Sequence, residues 1–217
     1  KVFGIDTFML KAIAIVSMTI DHVGYVLLPQ YPILRIIGRV AFPIYCFLII
    51  EGYFHTKDIR KYLLRLLIFA LISEVPFDLA FNIGNEGINP FHNQNVFFTL
   101  FLGLVVVYIY DNLKKHAIDK FYLYIPAFAG ILGCIVLAHF ANTDYDAGGV
   151  CLIFTLYVFR EHKLLRLLVA SLELYLFFGL IECFGIIAFL PIALYNGKLG
   201  PKMKYFFYIY YPAHLLL

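Results

Sequence analysis

Residues 33–54 read ILRIIGRVAFPIYCFLIIEGYF. A helix needs roughly twenty apolar residues to cross a hydrocarbon layer of about 30 Å, and this run supplies them while carrying Arg35 and Arg39 near its start. An apolar run of that length reads as a membrane span, and its charges then need an explanation. The rest of the chain repeats the pattern. Of its 217 residues, 63% are hydrophobic, 18% aromatic and only 14% charged, against roughly 45–50% apolar and about 25% charged in ordinary globular proteins. The expected fold is all-α, a polytopic transmembrane helix bundle forming a single domain over residues 1–217. Nine apolar runs are candidate spans: 7–28, 33–54, 59–81, 96–113, 121–140, 148–159, 164–180, 183–195 and from 205 onward. The last is shorter than a full span, so the C-terminal end is expected to be incomplete.

Orientation follows from the basic residues, which are retained on the cytoplasmic side of span ends. Connections after the second, fourth, sixth and eighth runs carry Lys57, Arg60 and Lys61; Lys114, Lys115 and Lys120; Arg160, Lys163 and Arg166; and Lys198, Lys202 and Lys204. The intervening connections, 29–32, 82–95, 141–147 and 181–182, contain neither Lys nor Arg. The alternation places the N-terminus in the cytoplasm. The net charge of +3 is too small and too dispersed for a nucleic-acid partner, which needs a concentrated basic face. Cys46, Cys134, Cys151 and Cys183 lie in apolar runs without metal-ligand spacing and read as small buried hydrophobes, so no metal is expected.

Ionisable groups inside spans cost several kcal/mol and mark functional sites by default. In this topology Asp21 and His22, Arg35 and Arg39, and Glu74 and Asp78 all fall in the outer halves of the first three spans. Each of the last two pairs is four apart, hence on one helix face. His92, Gln94 and Asn95 lead into the fourth span, and Tyr211 shares a face with His214 on the last. The bland alternative pairs Arg39 with Glu74 or Asp78 as a packing device. The functional alternative makes His22 a general base oriented by Asp21, Glu74 or Asp78, with His214 as a second wall and Arg39 as an oxyanion partner. Among the cytoplasmic cations, Lys57, Arg60, Lys61 and Lys198 are candidates for donor phosphates, although topology alone also requires them.

Several ordered motifs resemble the TraX family: residues 11–24 (KAIAIVSMTIDHVG), 34–52 (LRIIGRVAFPIYCFLIIEG), His55-Thr56, 62–81 (YLLRLLIFALISEVPFDLAF), 94–100 (QNVFFTL) and the closing YNGK and KYFFYIYYPAH. The family is named for a protein that acetylates the N-terminus of F-pilin. The resemblance implies a transmembrane acyltransferase of the bacterial cytoplasmic membrane, with acetyl-CoA or another acyl-CoA as cytosolic donor and an unidentified peptide, glycan or small-molecule acceptor. It carries over Asp21-His22, Arg35 with Arg39, Glu74 with Asp78, Gln94-Asn95 and His214 as site residues. Direct transfer is favoured over an acyl-cysteine, because apolar burial raises thiol pKa. Two rivals stand beside it: a proton-coupled transporter using the same Asp, Glu and His groups, and a non-enzymatic membrane assembly subunit whose buried charges only specify packing.

The charge alternation predicts that single cysteines at Asn85 and Lys115, in a cysteine-free background, label from opposite faces of intact cells, with position 85 outside. Labelling of both from one face would overturn the topology.

Overall fold

The computed structural model describes residues 4–81, 93–116 and 121–216. Among these the chain is all-helical, with no strand and only two isolated bridges, Ile5 with Tyr195 and Gln94 with Thr143. The helices are α1 Thr7–Val26, α2 Pro32–Gly38, α3 Ala41–His55, α4 Ile59–Phe81, α5 Val96–His116, α6 Tyr124–Phe140, α7 Asp146–Val158, α8 Lys163–Phe178, α9 Phe189–Ala193 and α10 Lys204–His214. Short 3-10 segments, Phe121–Leu123 and Glu182–Ala188, lead into α6 and α9. Among the described residues four stretches are long and apolar enough to cross a membrane: Thr7–Val26, Pro32–His55 taken across its break, Val96–His116 and Phe121–Phe140. On the last, Phe121, Ile125, Phe128 and Leu132 each expose more than half of their surface. A contiguous apolar face of that kind is stable only against lipid or another protein. This is a membrane protein.

The centre of the bundle is α3. Ala41, Phe42, Ile44, Cys46, Phe47, Leu48, Ile49 and Ile50 are all buried, so the helix is enclosed on every side, as its uniformly apolar sequence dictates. Around it pack α1, α5 and α7, closing a core that includes Leu10, Ala14, Leu66, Leu104 and Leu152. The Asp6 carboxylate caps α1 by accepting from the Met9 amide at 2.8 Å. Backbone bonds from Ile5 to Leu194 and from Thr7 to Lys198 bind the chain before α1 to the segment leading into α10. At the same end, Asp111 of α5 accepts from the hydroxyls of Tyr53 at 2.5 Å and Tyr157 at 2.7 Å. That one carboxylate therefore ties α3, α5 and α7 together.

The run at 33–54, expected as one span, is broken into α2 and α3 at Arg39 and Val40. Pro43 is the cause: it has no amide hydrogen to give the Arg39 carbonyl four residues earlier, and its ring crowds that carbonyl. The break lets α2 fold back along α1, and glycines make the approach close. A Cβ at Gly24 would lie 2.6 Å from the Leu34 Cβ, and one at Gly38 would occupy the space of the Asp21 carboxyl group. The run at 183–195 likewise forms a 3-10 helix followed by the short α9 rather than one continuous helix.

Gly38→Ala should therefore lower the melting temperature in detergent, by an overpacking cost of about 1–3 kcal/mol. An unchanged melting temperature would mean that Asp21 does not need this contact.

Candidate functional site

Asp21 lies on the last turns of α1, roughly 21 Å along the axis from Thr7. One carboxylate oxygen accepts from Arg35 Nη1 at 2.6 Å, and the other from Arg39 Nη2. Arg39, 5% exposed, donates Nη1 to Glu182 and Nε to the Arg35 carbonyl at 3.1 Å. Two acids and two arginines thus alternate in one chain, Arg35, Asp21, Arg39, Glu182, and compensate each other's charge. Removing one member of a buried pair typically costs about 3–5 kcal/mol because it strands the other charge. The chain is a packing device as well as the wall of a site.

The neighbouring residue faces elsewhere. His22 Nδ1 lies 2.7 Å from His214 Nε2, with the rings tilted by only 10°. His214 Nδ1 in turn lies 3.0 Å from the Tyr210 carbonyl oxygen. A carbonyl can only accept, so in the neutral pair His214 carries its proton on Nδ1 and leaves Nε2 as an acceptor. His22 must then donate from Nδ1, and its lone pair sits on Nε2. Stacking of His214 on Tyr210, with centroids 5.3 Å apart, and a 2.9 Å bond from the Tyr210 hydroxyl to Thr19 hold α10 against α1 in this register. Phe81 and Tyr211 meet the His22 ring edge-on.

These groups open on a cavity of about 420 Å³ walled by α1, α2, α3, Phe77 and Phe81 of α4, Tyr211 of α10 and the loop before α7. The loop and the first residue of α7 hold three non-glycine residues in the left-handed region, Asn142 (φ 48°), Tyr145 (φ 65°) and Asp146 (φ 45°). Such residues each cost about 1–3 kcal/mol and persist only where the surroundings hold them. Here the Asp144 amide donates to the Gln94 carbonyl at 2.7 Å, the Thr99 hydroxyl donates to the Asp144 carbonyl, and the Tyr145 ring lies flat on Phe42 with centroids 3.6 Å apart. The result carries Asp144 into the cavity wall beside Arg35, Arg39 and His22. Burial pushes its carboxyl up to about 7, against the opposing pull of Arg39, with Glu182 and Asp21 adding to the rise.

A second cavity of about 190 Å³ lies at the opposite end of α1, lined by Thr7, Lys11, Glu51, His55 and a set of apolar residues including Leu48, Leu66 and Leu100.

The residues singled out by sequence are distributed as follows. Asp21, His22, Arg35, Arg39 and Tyr211 line the larger cavity, with His214 bonded behind His22. Arg39 pairs with Asp21 and Glu182 rather than with Glu74 or Asp78, and the partner of the His22 imidazole is His214 rather than a carboxylate. Glu74 is joined to Asn95, whose side-chain amide also donates to the Ala70 carbonyl at 2.8 Å. The Asn95 side-chain oxygen accepts from the Phe97 amide at 3.1 Å, so this fully buried residue caps α5 and locks it to α4. Asp78 is buried, and Gln94 joins the loop through its backbone. His92 lies outside the described residues. Lys57, Arg60, Lys61 and Lys198 are exposed, with Lys61 paired to Asp58 at 3.5 Å; none of the four lines the smaller cavity, although His55 and Leu199 beside them do. Sequence reasoning missed Glu182, Asp144 and Tyr145 because all three fall in connections. No signal in the spacing singled them out, since Glu74 and Asp78 were equally available as acids for Arg39.

A family model described as TraX protein matches residues 7–217. Among curated proteins, the probable fimbrial assembly protein FimC, serogroup H1, of Dichelobacter nodosus is 29% identical over 98% of this chain and 93% of its own length. An uncharacterized protein of Rickettsia prowazekii, RP591, is 30% identical over 64% of this chain and 49% of its own length. No solved structure matches.

The Asp144 carboxyl gives a pH signature. It titrates near 7 in the folded chain and near its ordinary value of about 3.9 when unfolded. Within that window the folded protein binds the extra proton, so stability is lost as pH rises. Between about pH 5 and pH 8 the native melting temperature should fall relative to that of Asp144→Asn, which lacks the titration. Parallel profiles would exclude a buried, titrating Asp144.

Proposed function

We propose that this chain, which belongs to the TraX family, is a membrane-embedded acyltransferase that moves an acetyl or other short acyl group from cytosolic acyl-CoA to an amine or hydroxyl of an acceptor at or across the membrane. The observation that carries the reading is the hydrogen-bonded series Tyr210 carbonyl, His214, His22, which leaves a lone pair on Nε2 of His22, a residue that lines a polar cavity. In this reading the nine apolar runs cross the bacterial cytoplasmic membrane with the N-terminus inside. The larger cavity then faces outward and receives the acceptor. The smaller one faces the cytosol and takes the narrow arm of the donor, while Lys57, Arg60, Lys61 and Lys198 attract the phosphates of its nucleotide end.

His22 Nε2 accepts the proton of the acceptor as its nitrogen or oxygen attacks the thioester carbonyl carbon. The carbon–sulfur bond breaks as the tetrahedral adduct collapses, and the proton passes to the departing thiolate. His214 is a positioning residue, since it acts only by fixing the tautomer of His22. For the oxyanion, Arg35 is better supplied than Arg39. Every guanidinium nitrogen of Arg39 already donates to a protein oxygen, whereas Arg35 commits Nη1 to Asp21 and leaves 31% of its side chain open. Asp21 holds both arginines and so sets the field of the site without touching the imidazole.

The second reading is a non-enzymatic assembly subunit, and the name of the Dichelobacter nodosus relative, a probable fimbrial assembly protein, favours it. Purified protein offered acetyl-CoA separates the two. Under the enzymatic reading, His22→Ala reduces CoA release by about 10²–10⁴-fold. His214→Gln, whose amide oxygen can accept from His22 Nδ1, retains more activity than His214→Ala. No acetyl-CoA turnover by the native protein in lipid would favour the assembly reading; full turnover by both His22→Ala and His214→Ala would sink the mechanism.

A further inference from the structure

The two cavities abut through the interior of the bundle. Each of α1, α3, α4, α5 and α10 lends residues to both, and three side chains line both at once: Tyr45 of α3, Val96 of α5 and Tyr211 of α10. They form a partition between the compartment that holds His22 and the mostly apolar compartment at the Thr7 end. Its members are held very differently. Tyr211 is 5% exposed, its ring crosses that of Phe97 at 5.1 Å and 86°, and it also packs on His214. Val96 is buried on the first turn of α5, which the Asn95 cap and the Glu74 contact fix in place. The Tyr45 hydroxyl, in contrast, has the sulfur of Met18, at 3.8 Å, as its hydrogen-bond partner among the described residues. Thioether sulfur is a weak acceptor, so rotation of the Tyr45 ring sacrifices little hydrogen-bond energy.

We propose that Tyr45, Val96 and Tyr211 form a size-selecting gate through which the acyl end of the donor reaches His22, with Tyr45 the moving side and Val96 and Tyr211 the fixed one. The inference rests on the acyl-transfer reading and names the residues that set the length of the transferred group. An acyl-CoA that enters at the Thr7 end presents its acyl group first, so that group passes the three side chains before the thioester carbonyl comes level with His22. A two-carbon group passes between two tyrosines and a valine with little displacement. Each further methylene must displace packed side chains. It then enters a compartment walled by Asp21, Arg35, Arg39 and Asp144 as well as by Phe77 and Phe81, where separating the charged groups from water offsets the apolar contact it gains.

The test uses the full chain in lipid nanodiscs, with acetyl-CoA, butanoyl-CoA and octanoyl-CoA as probes and release of CoA as the readout. Where water is the acceptor, the products are the carboxylic acid and free CoA. The native protein should favour acetyl-CoA. Val96→Ala, which removes two methyl groups, and Tyr45→Ala should each raise the kcat/KM ratio of butanoyl-CoA to acetyl-CoA by about tenfold or more, the discrimination commonly set by one methylene in a pocket. Val96→Phe should lower CoA release while acetyl-CoA still binds, which separates a blocked passage from a lost donor site. Native turnover of acetyl-CoA with an unchanged chain-length profile in both enlarged variants overturns the gate and leaves acyl transfer standing. Native protein that releases no CoA from any of the three overturns both.

Discussion

A bilayer interior does not accept an unpaired charge, and the arrangement of this bundle at the Asp21 end follows from how two arginines are neutralised there. Arg35 and Arg39 converge on Asp21, and Arg39 reaches on to Glu182. To bring those groups together, α2 must break from α3 and fold against α1, Gly38 must leave room for a carboxylate, and the segment after α8 must return to the centre. Each requirement is local, and each is met by a residue whose chemistry explains it. Pro43 breaks the helix, glycine permits the approach, and an otherwise isolated glutamate closes the series.

That ion chain also separates two neighbours in sequence. Asp21 is fully occupied by arginine, so it does not serve His22; the imidazole turns about 100° around α1 to meet α10 instead. The site therefore has two independent layers: a charged one that fixes the field, and an imidazole pair that fixes where a proton can be received. The outlying loop adds a third contributor, Asp144, held in place by strained backbone and by the stack of Tyr145 on Phe42.

Much of this was legible in the sequence. Each apolar run coincides with a helix or helix pair, because length and hydropathy alone govern which segments a bilayer tolerates. The four-residue spacing of Arg35 and Arg39 forecast their common face, and both do bind one carboxylate. The partners were not legible. Which acid meets Arg39 depends on how the chain returns after α8, a property of tertiary packing that no local spacing encodes. Asn95 read as a polar entrance to a site and is instead a buried cap, since its neighbours Ala70 and Glu74 come from the preceding helix. His22 and His214 were each visible, but their bond joins residues 192 positions apart.

That separation has a bearing on biogenesis. Helices α1 to α3 can reach their mutual packing early in synthesis, and most of the ion chain with them. The tautomer of His22 stays undefined until α10 has been inserted beside α1, many helices later. Synthesis from the N-terminus thus presents His22 well before α10 fixes which of its ring nitrogens carries the proton. A defined nitrogen for receiving the proton, Nε2 rather than Nδ1, arrives only with α10.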